Sequence, residues 1–252
     1  MKNKNIIIGI LLFIAGFVGI LSLLTMDIPI PEDARNTLPP SLSDAQIKIL
    51  LLINPFILLI LSVFAGTILY ERTGLKLPVI EKLLIKTSDS YNIYDILKFG
   101  AFAGILAGIL ISGTGYLYSG YLPDEFVELG KTIKPTLAAR FLYGGITEEI
   151  LVRFGLMTFL VWIFIKISKQ TSSIEYWIGI LLSSFVFAIG HFPAAFQAVE
   201  SPSLLMLSFI LTGNGIGGII FGYMYWKKGL EAAMTAHIFA HGIMLAAEYI
   251  LN

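Results

Sequence analysis

Long apolar stretches separated by short polar segments run through the whole chain. Runs of about 20 mainly apolar residues, the length that crosses the hydrocarbon core of a bilayer, recur along it. The first run is longer than the apolar region of a signal peptide, so we expect it to stay as a membrane span. The pattern predicts an all-α polytopic membrane protein with about seven transmembrane helices, at 6–25, 49–70, 99–117, 137–165, 174–192, 204–226 and 230–251.

The fourth stretch is too long for a simple crossing. Its about 29 residues correspond to roughly 44 Å of α-helix, against a core of about 30 Å, so it must tilt, protrude or break. A break would give eight crossings. Seven crossings with an inside N-terminus place every strongly basic connection on the cytoplasmic side, as the positive-inside rule requires. These connections hold Arg72, Lys76, Lys82, Lys86 and Lys98, then Lys166 and Lys169, then Lys227 and Lys228.

Composition supports the membrane assignment and removes several classes of function. Hydrophobic residues make up 56% of the chain and charged residues only 13%, more apolar surface than one soluble core of this size needs. Lys plus Arg and Asp plus Glu each total 17, so no basic field exists to bind nucleic acid. The chain has no cysteine, which excludes disulfides, thiol nucleophiles and Cys-ligated metals.

Ionisable residues at membrane depth are the informative ones, because each costs about 2.5–3.5 kcal/mol unless it is paired or solvated. Glu148, Glu149 and Arg153 lie in the middle of the fourth stretch. On an α-helix, Glu149 and Arg153 share a face, whereas Glu148 points about 100° away. We therefore expect Arg153 to pair with Glu149 and to leave Glu148 available as a general base or acid. An ion-pair network that only joins helices is the alternative.

All three histidines of the chain fall within these stretches or at their ends. His191 ends the fifth stretch, and His237 and His241 stand four residues apart in the last. The spacing predicts that both rings of the last pair project from one face. Imidazole can shuttle a proton, stabilise an oxyanion or ligate a metal.

These elements resemble, in order, the three signature motifs of the CAAX-protease-like (CPBP) family of intramembrane proteases. The first motif, EExxxR, corresponds to 148–153, the second, FxxxH, to 187–191, and the third to 237–241. The resemblance implies a four-helix catalytic core at 137–252. Residues 1–136 would then form N-terminal spans, with a cytoplasmic interfacial linker at 71–98, within one integral domain.

The resemblance also implies roles for the motif residues. Glu148 would activate the hydrolytic water with help from His191, and His237 and His241 would stabilise the oxyanion. Glu149 and Arg153 would hold the site together. The family often has Asn where this chain has His241. That difference keeps a zinc-dependent variant open, with His191, His237, His241 and Glu148 as ligands, although the metal-free mechanism is preferred.

The sequence thus predicts an intramembrane endopeptidase of the cell membrane that cleaves a membrane-associated or lipid-anchored peptide, without a cofactor. The substrate class includes prenylated CAAX-type peptides through the resemblance alone. Two other classes stay open: a non-catalytic immunity or scaffold protein, and a transporter with Glu148 as its protonatable residue.

Overall fold

Helices account for 86% of the structure, a computed structural model that describes residues 2–27, 35, 38–85 and 92–251. These residues contain no strand, which confirms the predicted all-α class. The helices are Lys2–Ser22, Asp44–Leu51, Ile53–Thr73, Pro78–Ile85, Ile93–Ser119, Pro123–Thr132, Ala139–Met157, Thr158–Ser168, Ser173–Ile189, Phe192–Ala198, Leu204–Lys228 and Leu230–Leu251.

Seven helical stretches in the described part of the chain are long and apolar enough to cross a membrane. Their number confirms the predicted multi-pass architecture. We refer to them in chain order as the first to seventh spans: Lys4–Thr25, Asp44–Thr73, Ile93–Ser119, Ala139–Ser168, Ser173–Ala198, Leu204–Lys228 and Leu230–Ile250.

The fourth span is one continuous helix, so it does not break into two crossings. From Ala139 to Met157 it is a π-helix, and beyond Met157 it continues as an α-helix. A π-helix closes its hydrogen bonds over five residues instead of four, which places more residues in each turn and lowers the rise per residue. The wider helix therefore shortens the stretch that had seemed too long for one crossing.

Glycines allow the spans around the site to approach closely. The ladder Gly100, Gly104 and Gly108 of the third span lies against the seventh span, where a Cβ at Gly104 would clash with the Ala236 carbonyl oxygen. Gly218 of the sixth span lies in the same way against Ser184 of the fifth. Both small-residue faces are thus helix-packing faces.

The fourth span occupies a central position, because it packs against the first, second, fifth and seventh spans. Thr147 illustrates this packing, since its hydroxyl donates a hydrogen bond to the Gly16 carbonyl of the first span at 2.9 Å. A charged group on the fourth span is therefore surrounded by other helices.

The three basic connections meet at one end of the bundle. Tyr176, at the start of the fifth span, donates to the Thr73 carbonyl at the end of the second, at 2.6 Å. The Leu230 amide, at the start of the seventh span, donates to the Lys76 carbonyl at 3.1 Å. Part of the predicted interfacial linker forms the helix Pro78–Ile85, whose first amides donate to Glu231. Its residues 86–91, which include Lys86, lie outside the described residues.

Candidate active site

Glu149 and Arg153 form the buried centre of the polar cluster. Both side chains are fully buried, and Arg153 Nε lies 3.3 Å from Glu149 Oε2. The sequence-based expectation that these two residues pair agrees with this geometry. A charge pair so deep in the bundle must balance itself, because it receives no solvation from water.

Two aromatic rings complete the surroundings of the Arg153 guanidinium. Its central carbon lies 5.1 Å from the ring centroid of Phe187 and 5.8 Å from that of Phe221. None of its three nitrogens has a hydrogen-bond partner among the described residues, so Nε contacts Glu149 as an ion pair only. Cation–π contacts therefore take the place of the missing hydrogen bonds.

The second oxygen of Glu149 connects this pair to the seventh span. His237 Nδ1 lies 2.9 Å from Glu149 Oε1, and both side chains are buried. An ionised carboxylate can only accept hydrogen bonds, so Nδ1 carries the proton in this pair. In the neutral ring, Nε2 is then left with a lone pair.

Glu148 lies on the other side of the same imidazole. Its Oε2 is 3.9 Å from His237 Nε2, too far for a direct hydrogen bond, and 16% of its side chain is exposed. Glu149 is buried and contacts both Arg153 and His237, whereas Glu148 is the carboxylate that is left accessible. The two adjacent glutamates thus address opposite nitrogens of one histidine.

His191 reaches this region because the fifth span bends. The first helix of this span, Ser173–Ile189, is followed by a turn at Gly190 and His191. A second helix then begins at Phe192, with Pro193 in its first turn. His191 Nδ1 lies 2.8 Å from the Phe187 carbonyl oxygen, an acceptor, so this nitrogen carries the proton.

Phe187 lies between His191 and His237. Its ring centroid is 4.7 Å from that of His191 and 6.2 Å from that of His237. In the described contacts His191 forms no hydrogen bond with Glu148. The structure therefore brings His191 to the edge of the cluster and not into direct contact with the accessible glutamate.

His241 stacks on His237, with ring centroids 4.9 Å apart and planes only 16° apart. A Cβ at Gly144 of the fourth span would come within 2.5 Å of His241 Nε2, so any larger residue at this position would have to displace the His241 ring. His241 Nδ1 has no hydrogen-bond partner in the described part of the chain. Of the three histidines, His241 alone has no proton position fixed by an acceptor.

Phe221 of the sixth span is a component of the site that the sequence analysis missed. Its ring stacks on His237 at 4.5 Å and also faces Arg153. In an apolar span, the sequence does not distinguish an aromatic residue of the site from one that only packs against neighbouring helices. Only the close approach of the sixth span to the fourth and seventh identifies it.

The four residues considered as zinc ligands do not come together as a metal-binding group in the described part of the chain. Within the described residues, no set of three or more His, Asp or Glu side chains is arranged to hold a metal ion. The Nδ1 atoms of His191 and His237 already face the Phe187 carbonyl and Glu149.

Comparison with known protein families agrees with the motif assignment. The family model described as type II CAAX prenyl endopeptidase, Rce1-like, matches residues 131–243. This range holds the fourth to sixth spans and most of the seventh, including all three motifs. Searches of curated proteins and of solved structures found no match. The match confirms the resemblance that the motifs predicted over residues 131–243, which is less than half of the chain.

Proposed function

We propose that this chain is an intramembrane endopeptidase that hydrolyses a membrane-associated or lipid-anchored peptide with water activated by Glu148. A prenylated C-a-a-X peptide is the substrate that the family match favours. The single observation that carries the proposal is the position of His237 between two carboxylates, at 2.9 Å from Glu149 and 3.9 Å from Glu148. One carboxylate orients the ring, and the other is free to react.

The gap between Glu148 and His237 suits a water molecule. An oxygen atom about 2.8 Å from each of Glu148 Oε2 and His237 Nε2 fits their 3.9 Å separation and can donate a hydrogen bond to both. Such a water has one proton directed to each acceptor and a lone pair directed away from them. This is the arrangement that general-base catalysis of hydrolysis requires.

The reaction follows from this placement. Glu148 removes a proton from the water while the water oxygen forms a bond to the scissile carbonyl carbon, and the carbonyl electron pair moves onto its oxygen. When that pair returns to re-form the carbonyl, the carbon–nitrogen bond breaks. The proton held by Glu148 passes to the leaving nitrogen, so the products are a carboxyl group and an amine.

The hydrogen bonds of the histidines divide their roles. The Nδ1 atoms of His191 and His237 each face an acceptor, so in their neutral rings Nε2 accepts. These two residues suit the water and proton-transfer side of the site. His241 can direct an N–H toward the oxyanion, and we assign that role to it. His237, for which the motifs suggested an oxyanion role, is assigned here to orienting the water.

The proposal also includes the arrangement of the chain in the cell membrane. Residues 137–252 form the catalytic core, and residues 1–136 support it through the contacts of the first, second and third spans. The meeting of the three basic connections at one end supports a cytoplasmic position for that end and for the N-terminus.

Cleavage by the detergent-purified chain tests the proposed function. The substrate is a C-terminal peptide with a farnesylated Cys followed by three residues, with its unprenylated form in parallel, and mass spectrometry locates the cut. Hydrolysis of one peptide bond is expected. Absence of cleavage of both peptides by a folded, monodisperse sample would favour a non-catalytic scaffold and would contradict the proposal.

A further inference from the structure

An ion pair joins the start of the fourth span to the end of the seventh span, at the interface between these two helices. Arg140 Nη1 and Nη2 lie 3.0 and 2.9 Å from the two carboxylate oxygens of Glu248. This is the bidentate geometry with which arginine recognises a carboxylate. The Arg140 side chain is only 12% exposed, whereas that of Glu248 is 48% exposed.

The pair continues the line of catalytic contacts. Along this interface His237 contacts Glu149, a Cβ at Gly144 would meet His241, and Arg140 binds Glu248. Residue numbers fall on one helix as they rise on the other, so the two spans run antiparallel. Arg140 is therefore on the same helix–helix interface as Glu148, nearer the start of the fourth span.

The distance between Arg140 and Glu148 along the fourth span is close to the length of a three-residue extended peptide. Glu148 follows Arg140 by eight positions, which corresponds to at most about 12 Å along a helix axis and less in a π-helix. Three extended residues span about 10 Å. A substrate cut with three residues after the scissile bond would thus place its terminal carboxylate near Arg140 while its carbonyl lies at Glu148.

A hydrogen bond other than those to Glu248 also orients the Arg140 side chain. Its Nε donates to the Pro135 carbonyl at 3.4 Å, so its orientation does not depend on Glu248 alone. Glu248 is the more exposed partner, in the last turns of the seventh span. From this geometry we infer that Arg140 binds the C-terminal carboxylate of the substrate and that Glu248 occupies the same position until the substrate displaces it.

This inference rests on the proposed function and adds a specificity-determining residue to it. It predicts that the enzyme distinguishes a free C-terminal acid from a C-terminal amide. The test compares KM for two farnesylated fluorogenic peptides that differ only in ending as carboxylate or carboxamide. The variants are Arg140→Gln, Arg140→Lys and Glu248→Gln, and Lys131→Gln is the control, because the Lys131–Glu128 pair lies within one short helix.

For wild type and the control we expect a KM about ten-fold lower for the acid than for the amide, the typical effect of a charge-assisted hydrogen-bond pair. Arg140→Gln should abolish this difference in KM. Arg140→Lys should keep part of it, because lysine retains the positive charge but cannot form the bidentate pair of hydrogen bonds. Glu248→Gln should lower KM for the acid only, since it removes the competing carboxylate. Glu248→Gln leaves Arg140 in place and so stays informative if the Arg140 variants do not fold.

An equal acid-to-amide ratio in wild type and Arg140→Gln would overturn the inference while leaving the protease proposal intact. An unchanged or higher KM for the acid in Glu248→Gln would overturn it as well. Failure of wild type to cut either peptide would instead contradict the proposed function, and with it this inference.

Discussion

Glu149 and His237 form a buried hydrogen bond of 2.9 Å between the fourth and seventh spans, and the rest of the site is arranged around it. On one side, Arg153 balances the charge of Glu149. On the other, His237 faces Glu148 across 3.9 Å. The arrangement separates the two adjacent carboxylates: one holds the site together, and the other is accessible to substrate.

This separation predicts that two adjacent substitutions lower the stability by very different amounts. Glu149→Gln leaves the buried Arg153 charge uncompensated, so we expect a loss of about 3–5 kcal/mol in the free energy of unfolding. Glu148→Gln should cost about 1 kcal/mol or less, because its side chain is partly exposed and makes no direct hydrogen bond. Thermal unfolding in detergent measures both. Equal stability of the two variants would show that Glu149 is not the structural member.

Gly144 should be required for activity more than for stability. A methyl group there would meet His241 Nε2, so Gly144→Ala should displace that ring and lower kcat by about 10- to 100-fold. Gly113→Ala is the matched control, since a Cβ at Gly113 meets no atom within 4 Å. In a His241→Ala background the Gly144→Ala effect should disappear. Additive losses in the double variant would mean that Gly144 acts through some other contact.

The glycine ladder of the third span should act mainly on stability. Gly104→Ala places a Cβ against the backbone carbonyl of Ala236, which cannot move aside as a flexible side chain would. We expect a loss of about 1–3 kcal/mol, typical of overpacking, and a lower unfolding temperature. Gly115→Ala on the same span has open space around its Cβ and should be close to wild type. A Gly104→Ala variant as stable as Gly115→Ala would contradict the close packing of these two spans.

Orientation is directly measurable because the natural chain has no cysteine. Single cysteines are placed at Lys227, at the end of the sixth span, and at Glu128, in the short helix before the fourth span. Both residues are exposed, and the proposal places them on opposite sides of the membrane. In intact cells a membrane-impermeant maleimide should label Glu128→Cys. It should label Lys227→Cys only after the cells are lysed. The reverse pattern would invert the proposed topology.

Local chemistry made much of this molecule predictable from its sequence. The crossings follow from apolar length, because a bilayer accepts only fully hydrogen-bonded helices. The pairing of Glu149 with Arg153 follows from their spacing and from the cost of an unpaired charge at that depth. Two starts were misjudged for equally local reasons. The second span begins at Asp44, because Ser43 and Gln46 form a capping box that the apolar scan ignores. The third span begins at Ile93, where the Asn92 side chain caps the helix.

The remaining features depend on which helices become neighbours. The insertion of His237 between the two glutamates and the stacking of Phe221 on that ring need the fourth, sixth and seventh spans to meet. The π-helix at Ala139–Met157 widens the fourth span at the site, and no spacing rule applied to the sequence indicated it. The hydrogen bonds that orient His191 and His237 likewise arise only from packing.

The most direct test of the central claim, that Glu148 activates the water, is the single-turnover rate of farnesylated-peptide cleavage by wild type and Glu148→Gln, each with and without a strong chelator. The account predicts a 10²- to 10⁴-fold lower rate in Glu148→Gln, the usual contribution of a general base, with wild-type activity kept under chelation. Wild-type activity that is lost under chelation and restored by zinc, or a Glu148→Gln rate close to wild type, would contradict it.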